Sequence, residues 1–182
     1  MRAFIAIDLP DEIHTTLSRQ QADFRAVSPD ARWTRPEGIH LTLKFLGEIS
    51  DDKVRAVTEA LSGCAPFTQF SVEVRGFGFF PDARRPKVFW AGVKAPPDLL
   101  RLAEEVEGAM DKVDFAREQR SYSPHLTLAR FKFPKPQPAL KALVEPLGET
   151  SVGQFEVSEF FLFESILNPH GAEYRKVARF PK

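Results

Sequence analysis

The tetrapeptide His-Leu-Thr-Leu occurs twice in this chain, and its residues are suited to acid and base catalysis. The copies begin at His40 and at His125. In a strand, residues two apart share a face, so each motif would present an imidazole beside Thr42 or Thr127 while its leucines point to a core. The unperturbed pKa of histidine is about 6.5, which lets one neutral and one protonated imidazole coexist near pH 7. The pair therefore indicates general acid and base catalysis, with the threonine hydroxyls binding the oxygens of a phosphate.

The two copies lie 85 positions apart (125 − 40), and this offset aligns the chain well beyond the motif. Strand-like and helix-like segments superimpose in the same order: residues 3–7 on 88–92, 13–24 on 98–109, 54–63 on 139–148 and 70–72 on 155–157. We predict one bilobal domain over residues 1–182, built from a repeated unit at approximately 1–86 and 87–182. A pseudo-two-fold axis between the halves would bring the two imidazoles to one cleft.

The apolar pattern predicts helices alternating with strands, several of which are joined by short turns. Proline followed by acidic residues marks a helix start at Pro10, Ser50 is a candidate helix N-cap, and residues 152–163 are predicted to form one continuous strand. Short connections between strands require antiparallel pairing. We therefore predict an α+β fold with two mostly antiparallel sheets flanking a central cleft and with the helices on the outside.

The composition is that of a globular protein without net charge: the 182 residues include 25 basic and 25 acidic side chains. Zero net charge argues against a protein that coats nucleic acid non-specifically, but not against an enzyme that handles one phosphate at a strand end. Cys64 is the only cysteine, which excludes an intramolecular disulfide and fits a reducing compartment. No apolar run reaches the roughly 20 residues of a bilayer span, and the first residues lack a signal-peptide pattern. We expect a cytoplasmic monomer.

Two cations near the motifs are candidates for binding the substrate. Lys44 keeps the parity of His40 along the strand and so would face the same way. Arg130 lies five positions after His125, and strict alternation places it on the opposite face unless the strand bulges, ends before it, or the long stem curls round. A solvated surface charge is the alternative for each. The loop 82–87 adds three basic residues, which would either grip a nucleic acid backbone or keep a sheet edge soluble.

Phe45, Trp33 and Phe131 lie close to the motifs and could stack a base, although core packing would use most of the 17 phenylalanines. His14 and His170 have no counterpart at the repeat offset and are predicted to lie on the surface. Paired histidines also serve as zinc ligands, but neither motif has a third ligand nearby, so we predict no metal site and no cofactor.

The motifs and their surroundings resemble the two-histidine (2H) phosphoesterase superfamily, whose signature is two His-x-Thr/Ser-x motifs. The resemblance extends over essentially the whole chain and is carried by Arg2–Ile7, Trp33–Gly47, Ser123–Arg130, Leu162–Ser165 and Gly171–Tyr174. Within the superfamily, the chain is similar to the bacterial and archaeal RNA 2′,3′-cyclic phosphodiesterases, which are also called 2′-5′ RNA ligases.

This resemblance implies a bilobal fold with a V-shaped cleft and a metal-free opening of a terminal 2′,3′-cyclic phosphate to a 2′-phosphate. It implies His125 as the proton acceptor, His40 as the proton donor and Arg130 as a phosphate ligand, although pseudo-symmetry leaves the order of the histidines open. RNA ligation would be the same chemistry reversed. Two alternatives remain: a phosphodiesterase of a small nucleotide such as an ADP-ribose cyclic phosphate, and a non-catalytic module that binds RNA ends.

Overall fold

The computed structural model describes residues 1–181, which form two antiparallel sheets and four α-helices. The strands are β1 (Arg2–Ile7), β2 (Arg32–Trp33), β3 (Leu41–Glu48), β4 (Phe70–Phe80), β5 (Val88–Lys94), β6 (His125–Arg130), β7 (Ser151–Val157), β8 (Phe160–Asn168) and β9 (Gly171–Phe180). The helices are α1 (Asp11–Val27), α2 (Asp51–Ser62), α3 (Pro97–Asp111) and α4 (Pro138–Val144). The first sheet has the order β3-β1-β8-β9, and the second has the order β2-β6-β5-β4-β7. All neighbouring strands are antiparallel, which confirms the predicted α+β fold with two antiparallel sheets.

The helices begin and bury residues as the sequence predicts. α1 begins directly after Pro10, and the Ser50 side chain caps α2 by accepting a hydrogen bond from the Lys53 amide at 3.2 Å. One face of α3 is buried and consists of Leu99, Leu102, Val106 and Met110. Each fully buried aliphatic side chain of this kind contributes roughly 1.5–3 kcal/mol to stability. Over residues 1–181, no helix combines the length and the apolar character that crossing a membrane requires.

The leucines of both motifs are core residues. Leu41, Leu126 and Leu128 are fully buried, and Leu43 is nearly so. They belong to the main hydrophobic core, which also contains buried residues of all four helices. The two-residue period therefore predicted the inward face of both motif strands correctly. A second, smaller apolar cluster consists of Phe4, Ala6, Phe161 and Phe163.

The prediction of one strand over residues 152–163 is wrong. These residues belong to two strands in different sheets, β7 and β8, which are separated by Ser158 and Glu159. β7 pairs with β4 at the edge of the second sheet, whereas β8 pairs with β1 in the first. The apolar pattern continues across this crossing, so the sequence contains no sign of the point at which the chain changes sheets.

The strand pairing supports the predicted duplication. The repeat offset lays β1 on β5 and β3 on β6. In the first sheet β1 lies between β3 and β8, and in the second β5 lies between β6 and β4, so each motif strand is next to the equivalent central strand. Where β4 meets β7, Ser71 is paired with Glu156, which lies 85 positions later (156 − 71). On either side of it, Phe70 is paired with Val157 and Val72 with Phe155, and 85 is also the offset from Phe70 to Phe155 and from Val72 to Val157. A symmetric ladder of this kind is expected at a pseudo-two-fold axis, while the division into one domain of two repeats stays a prediction.

Candidate active site

His40 lies immediately before β3 and is nearly buried, with 9% of its surface exposed. Its imidazole packs against the rings of Phe163, Tyr174 and Phe4, whose centroids lie 4.5, 5.0 and 5.7 Å away. Burial among these rings lowers the pKa of His40 from 6.5 to about 4, and the carboxylate of Asp8 only partly opposes this shift. The imidazole is therefore neutral at pH 7 in the free protein. It forms part of the wall of a groove of about 720 Å³.

His125 is the first residue of β6 and is partly buried. Its Nδ1 lies 2.8 Å from the carbonyl oxygen of Ser123, and because a carbonyl only accepts hydrogen bonds, Nδ1 carries the hydrogen. In the neutral ring, Nε2 is then the nitrogen that can take up a proton. Burial lowers the pKa of His125, the Ser123 hydrogen bond opposes this, and the positive charge of Arg130 lowers it further.

The two imidazoles pack against phenylalanines at corresponding places in the two sheets. Phe163 on β8 contacts the ring of His40, and Phe80 on β4 meets the ring of His125 edge-on, with the centroids 4.9 Å apart. Each phenylalanine stands on the strand beside the shared central strand, β1 or β5. Sequence reasoning missed both residues because they are 83 positions apart (163 − 80) rather than 85, in a chain with 17 phenylalanines.

Both motif strands carry a β-bulge at the second leucine of the motif, Leu43 in β3 and Leu128 in β6. One extra residue lies opposite the partner strand at each bulge, so the alternation of faces is reversed beyond it. The two leucines are 85 positions apart (128 − 43), as the motifs are. The bulges thus decide which of the following side chains share a face with the histidines.

The bulge in β6 places Arg130 on the same face as Thr127. Thr127 is paired with Trp90 and Arg130 with Val88, and these two residues of β5 share a face because they are two apart. The charge of Arg130 also lies close enough to His125 to lower the pKa of that imidazole. Strict alternation is therefore wrong at this position. A bulge is one of the features that the sequence analysis required for Arg130 to share the face of His125, and β6 has one.

The bulge in β3 turns Lys44 away from the face of Thr42. Thr42 is paired with Ala6, but Lys44 is paired with the preceding residue of β1, Ile5, which belongs to the main core. The Lys44 ammonium donates to Oε1 of Glu107 in α3 at 2.7 Å, and its side chain is 2% exposed. The parity argument for Lys44 is therefore wrong. Lys44 is a buried link between β3 and α3, and its ammonium is bound by Glu107.

Phe45 takes the place in β3 that Arg130 takes in β6, since the two residues are 85 positions apart (130 − 45). It is paired with Phe4, their ring centroids are 6.2 Å apart, and 65% of the Phe45 surface is exposed. The other two aromatic candidates are less exposed: Trp33 is partly buried and donates to the Ser28 carbonyl at 2.9 Å, and Phe131 is buried. Phe45 is thus the aromatic candidate with a ring open to solvent.

Three polar side chains hold the backbone of the motifs, and sequence reasoning assigned this role to none of them. Gln21 of α1 donates to the carbonyl oxygen of the bulge residue Leu128 at 3.1 Å. The Tyr122 hydroxyl donates to the carbonyl oxygen of Thr42 at 2.9 Å. His14 Nε2 donates to the carbonyl oxygen just before the first motif at 3.1 Å, and its ring is partly buried. His14 is therefore only partly exposed, and besides the predicted surface position it has a role in holding the first motif.

The two motif strands, β3 and β6, contact each other across the two sheets. They bring two neutral imidazoles, two threonine hydroxyls and the Arg130 guanidinium to neighbouring strands. In the part of the chain from 1 to 181, no group of three His, Cys, Asp or Glu side chains is arranged to hold a metal ion. Imidazoles, hydroxyls and a guanidinium are suited to binding an anionic substrate and moving protons to and from it.

Comparisons with known proteins place the chain in a family. The model of the family described as LigT like Phosphoesterase matches residues 7–90 and 93–174. An RNA 2′,3′-cyclic phosphodiesterase of Methanothermobacter thermautotrophicus is 35% identical over 178 residues, which span 96% of this chain and 95% of that protein. The crystal structure of TT0787 from Thermus thermophilus superimposes with a TM-score of 0.81 at 28% identity, covering 99% of this chain and 97% of that one. The structure of E. coli LigT complexed with 3′-AMP gives a TM-score of 0.79 at 27% identity, covering 98% and 96%. This chain belongs to the LigT-like phosphoesterase family.

Proposed function

We propose that this protein hydrolyses the 2′,3′-cyclic phosphate at RNA ends, and in cyclic nucleotides, to a 2′-phosphate. The observation that carries the proposal is the arrangement of His125, Thr127 and Arg130 on one face of β6, next to the strand that follows His40. Relatives that match nearly the whole chain are named RNA 2′,3′-cyclic phosphodiesterases, which supports this choice of substrate. In this proposal the protein acts as a cytoplasmic monomer.

His125 is the proton acceptor in the proposed mechanism. Its Nδ1 donates to the Ser123 carbonyl, so Nε2 is unprotonated, and burial keeps the ring neutral at pH 7. Nε2 takes a proton from water as the water oxygen attacks phosphorus in line with the bond to the 3′-oxygen. A general base placed in this way contributes about 10²–10⁴-fold to the rate.

His40 is the proton donor, and it protonates the 3′-oxygen as the bond from phosphorus to that oxygen breaks. With a pKa of about 4, the ring is neutral in the free protein, so it needs the negative charge of the bound cyclic phosphate to raise its pKa. The carboxylate of Asp8 acts in the same direction. The reverse assignment, with His125 as the donor, gives the same dependence of rate on pH, because the pH profile belongs to the pair.

The remaining side chains bind the substrate. The hydroxyls of Thr42 and Thr127 hydrogen-bond the non-bridging oxygens, and the Arg130 guanidinium neutralises the charge that develops on them. The exposed ring of Phe45 stacks against a base. No metal ion or cofactor takes part in this scheme, because an imidazole that transfers protons through Nε2 must leave that nitrogen unligated.

Product analysis tests the proposal. The protein is incubated in EDTA with 2′,3′-cyclic AMP and with an RNA oligonucleotide that ends in a cyclic phosphate, and the products are identified by phosphorus NMR. We expect both substrates to give a 2′-phosphate. A 3′-phosphate would refute the direction of opening, and a requirement for added metal would refute the metal-free scheme. Turnover of an ADP-ribose cyclic phosphate alone, or RNA binding without turnover, would favour the two alternatives.

A further inference from the structure

Seven basic residues gather at one end of the second sheet, next to the proposed phosphate site. They come from β2, from the turn between β4 and β5, from the end of β6 and from the loop after it: Arg32, Arg84, Arg85, Lys87, Arg130, Lys132 and Lys135. Backbone pairing brings these segments together, because Arg130 is paired with both Arg32 and Val88, and the Phe131 amide donates to the Lys87 carbonyl at 3.0 Å. All seven side chains are exposed. We call these seven residues the basic edge.

The seven positive charges of the basic edge outnumber the one carboxylate in its turn, Asp82. Within residues 1–181, none of its seven side chains forms an ion pair, whereas cations elsewhere do, such as Arg179 with Glu159. The carboxylate in the turn, Asp82, accepts instead from the backbone amides of Arg84 and Arg85 at 2.8 and 3.0 Å. In a protein of zero net charge, this local excess of positive charge attracts a polyanion.

An exposed aromatic ring stands among these cations. Phe133 is 62% exposed, and the ammonium groups of Lys132 and Lys135 lie 5.6 and 6.0 Å from its ring centroid. Single-stranded nucleic acid is bound by this combination, in which cations track the phosphates and aromatic rings stack the bases. A protein partner would be expected to meet an apolar patch that is depleted in charge, and the basic edge is the opposite of that.

The basic edge is continuous with the site at His125. Arg130 belongs to both, and β6 leads from His125 to Arg130 over five residue steps, or about 17 Å at the rise of a strand. The groove beside His40 offers less unpaired charge, because Lys176 pairs with Asp8 there at 2.7 Å. We propose that the basic edge binds the single-stranded RNA that leads up to the cyclic phosphate. This inference rests on the proposed function and specifies a polymer, not a free nucleotide, as the preferred substrate.

The test compares a polymer with a mononucleotide. An edge variant carries Arg84→Gln, Arg85→Gln, Lys132→Gln and Lys135→Gln. A control variant removes the same charge at four ion-paired positions elsewhere, through Arg55→Gln, Arg101→Gln, Lys141→Gln and Arg179→Gln. The KM for an RNA of about ten nucleotides with a cyclic end should rise at least about tenfold in the edge variant, and log kcat/KM should fall less steeply with log salt by about 0.7 per lost phosphate contact.

Turnover of 2′,3′-cyclic AMP should stay within about twofold of the wild-type value in both variants, since its single phosphate is bound by Arg130 and by none of the substituted residues. Phe133→Ser should weaken binding of the RNA at least about fivefold and leave the salt dependence unchanged, because it removes stacking and no charge. Equal losses on the polymer and on cyclic AMP, or an equal loss in the control variant, would overturn the inference.

A binding measurement separates this inference from the proposed function. Fluorescence anisotropy with an RNA of the same length ending in a 3′-hydroxyl requires no turnover. If the wild-type protein hydrolyses neither substrate, the proposed function fails, yet weaker binding of this RNA by the edge variant than by the control variant would still support the basic edge. Equal affinity of the two variants for the RNA would refute it.

Discussion

The side-chain amide of Gln21 donates a hydrogen bond to the carbonyl oxygen of Leu128 at 3.1 Å, joining α1 to a strand 107 residues away. The corresponding helix of the second half makes the reverse connection, because Glu107 of α3 accepts from Lys44 in β3 at 2.7 Å. Each bulged strand is therefore braced by a helix from the other half of the chain. These two hydrogen bonds fix the position of each motif strand relative to the opposite half of the chain.

Replacing Gln21 with leucine should destabilise the protein and slow catalysis. The change removes the Gln21 donor from the carbonyl of Thr34 and leaves the carbonyl of Leu128 with the Thr34 amide alone, and an unsatisfied buried group costs about 1–3 kcal/mol. We expect the free energy of unfolding, measured by chemical denaturation, to fall by about 1–3 kcal/mol, and kcat to fall because the side chain that links α1 to the bulge is lost. Gln69→Leu, which removes an exposed amide, is the matched control. Unchanged stability in Gln21→Leu would show that the brace contributes nothing.

Lys44 should matter for stability and not for substrate binding. Lys44→Met leaves Glu107 without its buried partner, which costs about 3 kcal/mol in comparable pairs, while the double variant Lys44→Met/Glu107→Met should recover most of this loss. A double-mutant cycle of unfolding free energies measures the coupling. A Lys44→Met protein of wild-type stability with a greatly raised KM would restore Lys44 as a substrate ligand.

His40 should make the protein less stable in acid. Its pKa is about 4 when folded and 6.5 when unfolded, so the unfolded chain binds more protons between these values. The contribution of His40 to the free energy of unfolding is fully present above pH 6.5. It is lost as the pH falls toward 4, by about 3 kcal/mol at that pH. The unfolding free energy of His40→Gln should therefore change less between pH 7 and pH 4 than that of the wild type. The exposed residue His170 provides the control, and a His40→Gln profile parallel to the wild type would contradict the buried, neutral state of His40.

A substrate that needs no general acid should identify the proton donor. In a cyclic phosphate with sulfur in place of the bridging 3′-oxygen, the leaving thiolate departs without protonation. His40→Ala should lose at least about 10²-fold in kcat on the oxygen substrate and much less on the sulfur substrate, whereas His125→Ala should lose activity on both. Rescue of His125→Ala and not of His40→Ala would reverse the two roles and leave the pair intact.

The alternating pattern of the motifs predicted their faces up to the bulges and failed beyond them. Leu41 and Leu126 are buried as expected, because period two holds in a regular strand. A bulge depends on how two strands are paired, and no residue type in the motif marks it. For this reason the parity argument gave the wrong face for Lys44 and for Arg130, and only the family resemblance favoured Arg130.

The surroundings of the histidines could not be predicted because they come from distant parts of the chain. Phe163 and Tyr174 pack on His40 from β8 and β9, and Phe80 packs on His125 from β4. The lowered pKa of His40 is a consequence of this burial, so it was equally invisible in the sequence. The strand order that creates these contacts includes the crossing between β7 and β8, which the apolar pattern does not mark.

The most direct test of paired imidazole catalysis is the kcat of four proteins on an RNA ending in a 2′,3′-cyclic phosphate: the wild type, His40→Ala, His125→Ala and the double variant. Because two groups that act on one transition state function as a unit, each single variant should lose at least about 10²-fold, and the double variant should lose little more than the poorer single variant. Circular dichroism confirms that each variant is folded. A folded single variant that keeps wild-type turnover, or two losses that simply multiply in the double variant, would contradict the account.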